Sequence, residues 1–241
     1  MDLTSLNNSD TNETITKLIK KAIELGPVSA ICIYPQFVSH SYDTLVKEAK
    51  INNINNQVSN INLATVINFP KGDGNIIDIC SSISIAIANG AEEIDLVIPY
   101  KDIIKGEYET TALLVRAAKE ACGDKAKLKV IIESGALQNE QQIRIASRIC
   151  IENGADFIKT STGKIKVGAT VEAAEAMLSE IKNHYNKTGH WVGFKVSGGI
   201  RSCQDANIYV LLARTICGDD YISGKTFRIG ASSLIDDIYK M

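Results

Sequence analysis

Seven apolar, β-rich runs alternate with amphipathic stretches along nearly the whole chain. They read VSAICIY (28–34), NLATVINF (62–69), EEIDLVIPY (92–100), KLKVIIES (127–134), ADFIKTST (155–162), WVGFKVSG (191–198) and FRIGASS (227–233). Each is close to continuous in its hydrophobicity, as strands are when helices cover a parallel sheet. Between them Ile76, Cys80, Ile83 and Ile87 recur at helical spacing before Asn89-Gly90. Ile145, Ala146, Ile149 and Cys150 do the same before Asn153-Gly154, and each glycine stands where a helix would end.

The short Asp2-Leu3-Thr4-Ser5 is the candidate for an eighth strand, because the helical pattern Ile15, Leu18, Ile19, Ala22, Ile23 follows it. Eight β/α units in 241 residues describe an α/β fold of the (β/α)8 barrel type, with a doubly wound open sheet as the structural alternative. No linker or break in composition divides the chain, so one domain over residues 1–241 is expected. The biased segment INNINNQVSN (51–60) reads as a solvated connection between a helix and a strand. In either fold the chemistry belongs at the C-terminal ends of the strands.

Lys+Arg number 26 against Asp+Glu 28, a net charge of -2 that gives no reason to expect nucleic acid or an anionic membrane as partner. The six cysteines, at 32, 80, 122, 150, 203 and 217, show neither CxxC pairs nor metal spacing, and no apolar signal stretch opens the chain. These features predict a reducing, cytoplasmic setting. No apolar run approaches the roughly 20 residues of a membrane span. His40, His184 and His190 lack ligand spacing, and no metal is expected.

Against this background the ionisable residues inside strands stand out. NGAEEIDLVI (89–98) and NGADFIKTST (153–162) both run from a helix-ending glycine into a strand, and Asp95 and Lys159 fall at the same offset. Lys195 occupies a similar setting in VGFKVSGG (192–199). Burying an ammonium costs several kcal/mol, so each position asks for a reason.

Side chains alternate along a strand, so Lys159 shares a face with Phe157 and Ser161, and Lys195 with Gly193 and Ser197. If the two strands are neighbours, their backbones are about 4.8 Å apart and the lysines can approach closely. One reading pairs each lysine with a carboxylate such as Asp95 or Glu133 in an ion network that fills the barrel. The other makes one lysine a nucleophile. An unperturbed lysine, with a pKa near 10.4, is free amine in only about one molecule in 2500 at pH 7. A second ammonium about 4 Å away supplies about 4 kcal/mol towards removing that proton at an effective dielectric near 20, and desolvation acts in the same direction. These energetics do not decide which lysine attacks.

The ends of the later strands are rich in glycine and hydroxyls: Thr160, Ser161, Thr162, Gly163 and Lys164; then Ser197, Gly198 and Gly199; then Gly230, Ala231, Ser232 and Ser233. Backbone N–H groups, hydroxyls and a helix start there can hold a phosphate, which barrels commonly bind after strands seven and eight.

Taken in order, DLTSL (2–6), ICIYP (31–35), ATVINFP (64–70), EIDLVIPY (93–100), KVIIESG (129–135), DFIKTSTGK (156–164), GFKVSGGIR (193–201) and RIGASSL (228–234) make the chain resemble the deoxyribose-phosphate aldolases over its whole length. The resemblance implies a single-domain TIM barrel and a class I aldolase. That reaction cleaves 2-deoxy-D-ribose 5-phosphate reversibly to acetaldehyde and D-glyceraldehyde 3-phosphate, in deoxynucleoside catabolism, with no cofactor or metal. It also implies roles: Lys159 forms the Schiff base, Lys195 perturbs it, Asp95 relays protons and Asp2 interacts with the second lysine. Cys32 matches a cysteine near the substrate, and Thr160 belongs with the substrate-binding strand end. The phosphate assignment falls on Gly163, Lys164, Gly198, Gly199, Ser232 and Ser233. The expected partners are small phosphosugar and aldehyde substrates, with no nucleic acid and no membrane, and a homodimer is the candidate assembly. Some members of the family carry a C-terminal tyrosine that assists proton transfer, whereas this chain closes on IYKM with Tyr239 expected in a terminal helix. The rival readings are another Schiff-base sugar-phosphate aldolase or transaldolase, and a barrel that only binds phosphosugars.

Overall fold

The order of elements in the computed structural model, which describes residues 1–26, 28–52 and 61–239, follows the alternation read from the sequence. Eight strands, β1 (Asp2–Thr4), β2 (Ala30–Ile33), β3 (Asn62–Ile67), β4 (Glu93–Val97), β5 (Lys127–Ile131), β6 (Phe157–Lys159), β7 (Gly193–Ser197) and β8 (Phe227–Ala231), pair in parallel in chain order. β8 returns to β1, with Asp2 opposite Gly230, so the sheet closes into a barrel and the open-sheet alternative falls away. The short Asp2–Thr4 segment is the closing strand. Most strands end earlier than their apolar runs because the last residues of each run turn into the loops that form the rim.

Helices cover the outside: α1 (Asn12–Leu25), α2 (Val38–Asn52), α3 (Ile76–Ala88), α4 (Tyr100–Lys105), α5 (Glu109–Cys122), α6 (Glu140–Glu152), α7 (Val171–Thr188), α8 (Cys203–Cys217) and α9 (Leu234–Ile238). Their starts are fixed locally. Thr11 forms a reciprocal capping box with Thr14 at α1, and Asn75 and Asn139 accept from Asp78 N and Gln142 N at α3 and α6. The Asn-Gly pairs after α3 and α6 end the helices as expected, with Gly90 and Gly154 at φ +105° and +98°. INNINNQVSN begins within α2, and its residues 53–60 lie outside the described residues.

Alternation along the strands divides the buried side chains into two sets. Ile31, Ile33, Leu63, Ile94, Leu96, Ile158 and Phe194 face the helices and join the main apolar core. Ala30, Cys32, Ala64, Val66 and Leu6 form a small separate cluster on one inner wall. The opposite inner wall carries charge.

Candidate active site

Seven ionisable side chains from six strands meet inside the barrel: Asp2, Glu93, Asp95, Lys129, Lys159, Lys195 and Arg228, each no more than 3% exposed. Parallel register brings them together. Lys159 on β6 lies opposite Lys195 on β7, and Asp95 on β4 lies opposite Lys129 on β5. Both Lys159 Nζ and Lys195 Nζ lie 2.7 Å from Asp95 Oδ2, so the two nitrogens are no farther apart than twice that distance. Lys129 Nζ holds the other oxygen, Oδ1, at 2.9 Å. Lys195 also meets Asp2 Oδ2 at 2.7 Å.

Burial alone would raise the Asp95 carboxyl, but Lys129, Lys159 and Lys195 outweigh it and hold it well below the ordinary carboxylate range. Asp2 is lowered in the same way, against burial, by Lys195, Lys129 and Arg228. Burial works against the Lys195 ammonium, yet Asp2 and Asp95 lift it well above an ordinary lysine. Lys195 therefore stays a cation wedged between two carboxylates. This separates the lysines on structural grounds, because Lys159 is the member of the seven that opens into a cavity.

The cavity holds about 300 Å³ and sits at the C-terminal ends of the strands. Lys159 lines it together with Gly163, Lys164, Ser197, Gly198, Gly199, Arg201 and Ser232. Five of the expected phosphate-site residues are thus in one place. Ser161 and Ser197 clasp the ends of β6 and β7, each hydroxyl donating to the other's carbonyl at 2.6 and 2.7 Å. Glu133, buried and at φ +50°, accepts from Thr162 N at 3.2 Å, and Thr162 Oγ1 in turn accepts from Lys164 N at 3.0 Å. That chain shapes the loop at Gly163. Lys164 Nζ donates to the Leu6 carbonyl across the rim.

Asp2, Asp95 and Lys195 lie beneath the cavity in the charged interior, and three of the expected substrate-binding residues do not line it. Thr160 is fully buried, its hydroxyl donating to Ser197 O at 3.0 Å and accepting from Ser197 N at 2.9 Å. Its alternation relative to Lys159 already put it on the other face. Ser233 is exposed next to α9. Cys32 lies inside the barrel with Sγ 3.9 Å from Asp95 Oδ2, and burial followed by Asp95 pushes its thiol up to about 11.

Other residues went unread in the sequence. Glu93 and Arg228 sit at the beginnings of β4 and β8, where a charged residue ordinarily reaches solvent, and Lys129 is the middle residue of β5. Glu133 pairs with Thr162 and not with a lysine. Tyr239 caps α9 and its hydroxyl lies 3.3 Å from the Gly26 carbonyl, after α1 and outside the cavity lining. Among the described residues no three His, Cys, Asp or Glu side chains cluster in a way that could hold a metal ion. No helix among them is long and apolar enough to cross a membrane.

A closed (β/α)8 barrel with ionised groups and a polar cavity at the carboxyl ends of its strands has the build of a barrel enzyme. A family profile described as DeoC/LacD family aldolase matches residues 1–234, and the chain belongs to that family. It is an aldolase. A deoxyribose-phosphate aldolase of Agrobacterium fabrum is 42% identical over 99% of this chain and 87% of its own. Among solved structures, a provisionally assigned deoxyribose-phosphate aldolase of Toxoplasma gondii superposes with a TM-score of 0.89 at 24% identity, over 99% of this chain and 92% of the other. The tetrameric deoxyribose phosphate aldolase of Aeropyrum pernix superposes with a TM-score of 0.71 at 24% identity, over 99% and 87%. These two likenesses concern the fold.

Proposed function

We propose that the chain cleaves 2-deoxy-D-ribose 5-phosphate reversibly to acetaldehyde and D-glyceraldehyde 3-phosphate, with Lys159 as the Schiff-base nucleophile. The observation that carries this reading is a buried lysine at the floor of a glycine- and hydroxyl-lined cavity, 2.7 Å from a carboxylate oxygen that a second lysine shares.

Neutral Lys159 adds to the substrate aldehyde, and the carbinolamine loses water to give an iminium. The iminium withdraws electrons from the adjacent carbon. Deprotonation of the hydroxyl on carbon 3 then breaks the bond between carbons 2 and 3. Carbons 1 and 2 stay on the lysine and become the acetaldehyde. Glyceraldehyde 3-phosphate leaves, the enamine is protonated at carbon 2, and water releases acetaldehyde and the amine. Asp95 lies within reach of both lysines and is the proton carrier of this scheme, with Lys195 holding it and Asp2 holding Lys195. Gly163, Lys164, Gly198, Gly199 and Ser232 take the phosphate.

The same proposal covers deoxynucleoside catabolism in the cytoplasm by a single domain over residues 1–241. Six free thiols support a reducing compartment. Assembly as a homodimer is tested by light scattering of the purified protein. For the activity, the purified protein is incubated with 2-deoxy-D-ribose 5-phosphate and glyceraldehyde 3-phosphate is followed by a coupled dehydrogenase. Release that disappears in Lys159→Leu supports the assignment; equal release by that variant rejects it.

A further inference from the structure

Six of the seven interior groups close a ring of alternating charge. Glu93 Oε2 meets Lys129 at 2.6 Å, Lys129 meets Asp95 Oδ1 at 2.9 Å, and Asp95 Oδ2 meets Lys195 at 2.7 Å. Lys195 meets Asp2 Oδ2 at 2.7 Å, Asp2 Oδ1 meets Arg228 at 2.7 Å, and Arg228 returns to Glu93 Oε1 at 3.0 Å. Three carboxylates face three cations, so the ring is neutral by itself. Lys159 joins it at one atom, Asp95 Oδ2, and stands outside that balance.

We propose that this closed ring sets the charge state of Lys159, with Lys129 and Glu93 as positioning residues that act through Asp95 without touching the cavity. The inference rests on the Schiff-base reading of Lys159. With Lys129 on one oxygen and Lys195 on the other, Asp95 is already compensated, and a proton on Lys159 places a third cation on one carboxylate. Releasing that proton leaves the barrel interior neutral, which low-dielectric surroundings favour. Removing the Lys129 charge reverses the balance: the ring becomes an anion and Lys159 keeps its proton to offset it. Removing the Glu93 charge makes the ring a cation and drives the proton off.

The groups that bear on Lys159 are Asp95 from β4, Lys195 from β7, Glu133 after β5 and Cys32 from β2. Those that bear on Lys129 are Glu93 and Asp95 from β4, with Lys195 and Asp2 across the interior. Glu93 also meets Asn62 at 2.8 Å and Arg228, and the Met1 amine lies within its field. None of the ring's cations except Lys195 bonds to the oxygen that Lys159 uses.

The test is the pH dependence of adduct formation at Lys159. Acetaldehyde and cyanoborohydride are added to wild type, Lys129→Gln, Glu93→Gln and the double variant, and the ethylated peptide is quantified. The rising limb moves to higher pH in Lys129→Gln and to lower pH in Glu93→Gln. About one pH unit each way corresponds to about tenfold in trapping rate at a fixed pH on the limb. The double variant returns towards wild type. A merely structural role would slow both variants without opposite displacements. Limbs that stay in place, or that move together, overturn the inference. If Lys129→Gln does not fold, the near-isosteric Glu93→Gln decides alone, and a limb that is unmoved or raised overturns it. Absence of any Lys159 adduct in wild type at every pH would instead overturn the Schiff-base reading.

Discussion

Lys159 and Lys195 are Cα partners on adjacent strands, and both place Nζ 2.7 Å from the same atom, Asp95 Oδ2. One is fixed between two carboxylates and the other opens into the cavity. Two like residues in register thus differ in their access to the cavity.

Removing the amine removes the covalent route. Lys159→Leu is expected to lower turnover of 2-deoxy-D-ribose 5-phosphate on the order of 10⁴-fold or more while the protein stays folded. Steady-state kinetics alongside a circular-dichroism melt check both halves of that statement.

Asp95→Asn keeps the volume of the side chain but leaves Lys129, Lys159 and Lys195 facing one another without their shared anion. Breaking a buried pair costs about 3–5 kcal/mol, equivalent to a fall of roughly 6–20 °C in melting temperature for a chain of this size. A thermal melt unchanged from wild type would mean that the carboxylate does not bind these cations together.

Acid should unfold the protein through the same ring. The folded values of Asp2 and Asp95 are depressed, so the stability they contribute is complete above their unfolded values near 3.9 and is lost as pH falls through the folded ones. On the alkaline side the signs reverse. Lys195 is raised, and its contribution, complete below about 10.4, is lost as pH rises through its folded value. Cys32, at about 11, adds a loss that begins above about pH 8.5. Melting temperature against pH should be nearly flat between about pH 5 and 8 and should fall below about pH 4, with a shallower acid fall in Asp2→Asn.

The phosphate grip can be tested at Gly198. A Cβ there would lie 2.5 Å from Ser161 Oγ, on a backbone at φ +91° that side chains rarely adopt. Gly198→Ala is expected to raise KM for the phosphorylated sugar about tenfold or more, and to change kinetics with unphosphorylated 2-deoxyribose much less. Equal losses on both sugars would place the phosphate elsewhere.

Much of this site was legible in the chain because strand signals are local. A charge inside an apolar β-rich run is conspicuous, and the matching offsets of Asp95 and Lys159 after Asn-Gly-Ala set both on inward faces. Closure through Asp2–Thr4 followed from counting units. The rest depends on how strands shift against one another around the barrel, which no single run records. Lys127 and Lys129 occupy equivalent faces of β5, yet Lys127 is exposed and Lys129 is fully buried. Arg228 and Glu93 meet only because β8 and β4 bring their beginnings together across the interior. Thr160 is the opposite case: the chain's own alternation set it apart from Lys159, and the glycine-rich context outweighed that signal.

The most direct measurement is borohydride quenching during turnover of 2-deoxy-D-ribose 5-phosphate, followed by peptide mapping. An ethyl group on Lys159, absent from Lys195 and lost in Lys159→Leu, is the predicted result. Full turnover with no reduced adduct at residue 159, or an adduct on Lys195 in its place, would contradict the account.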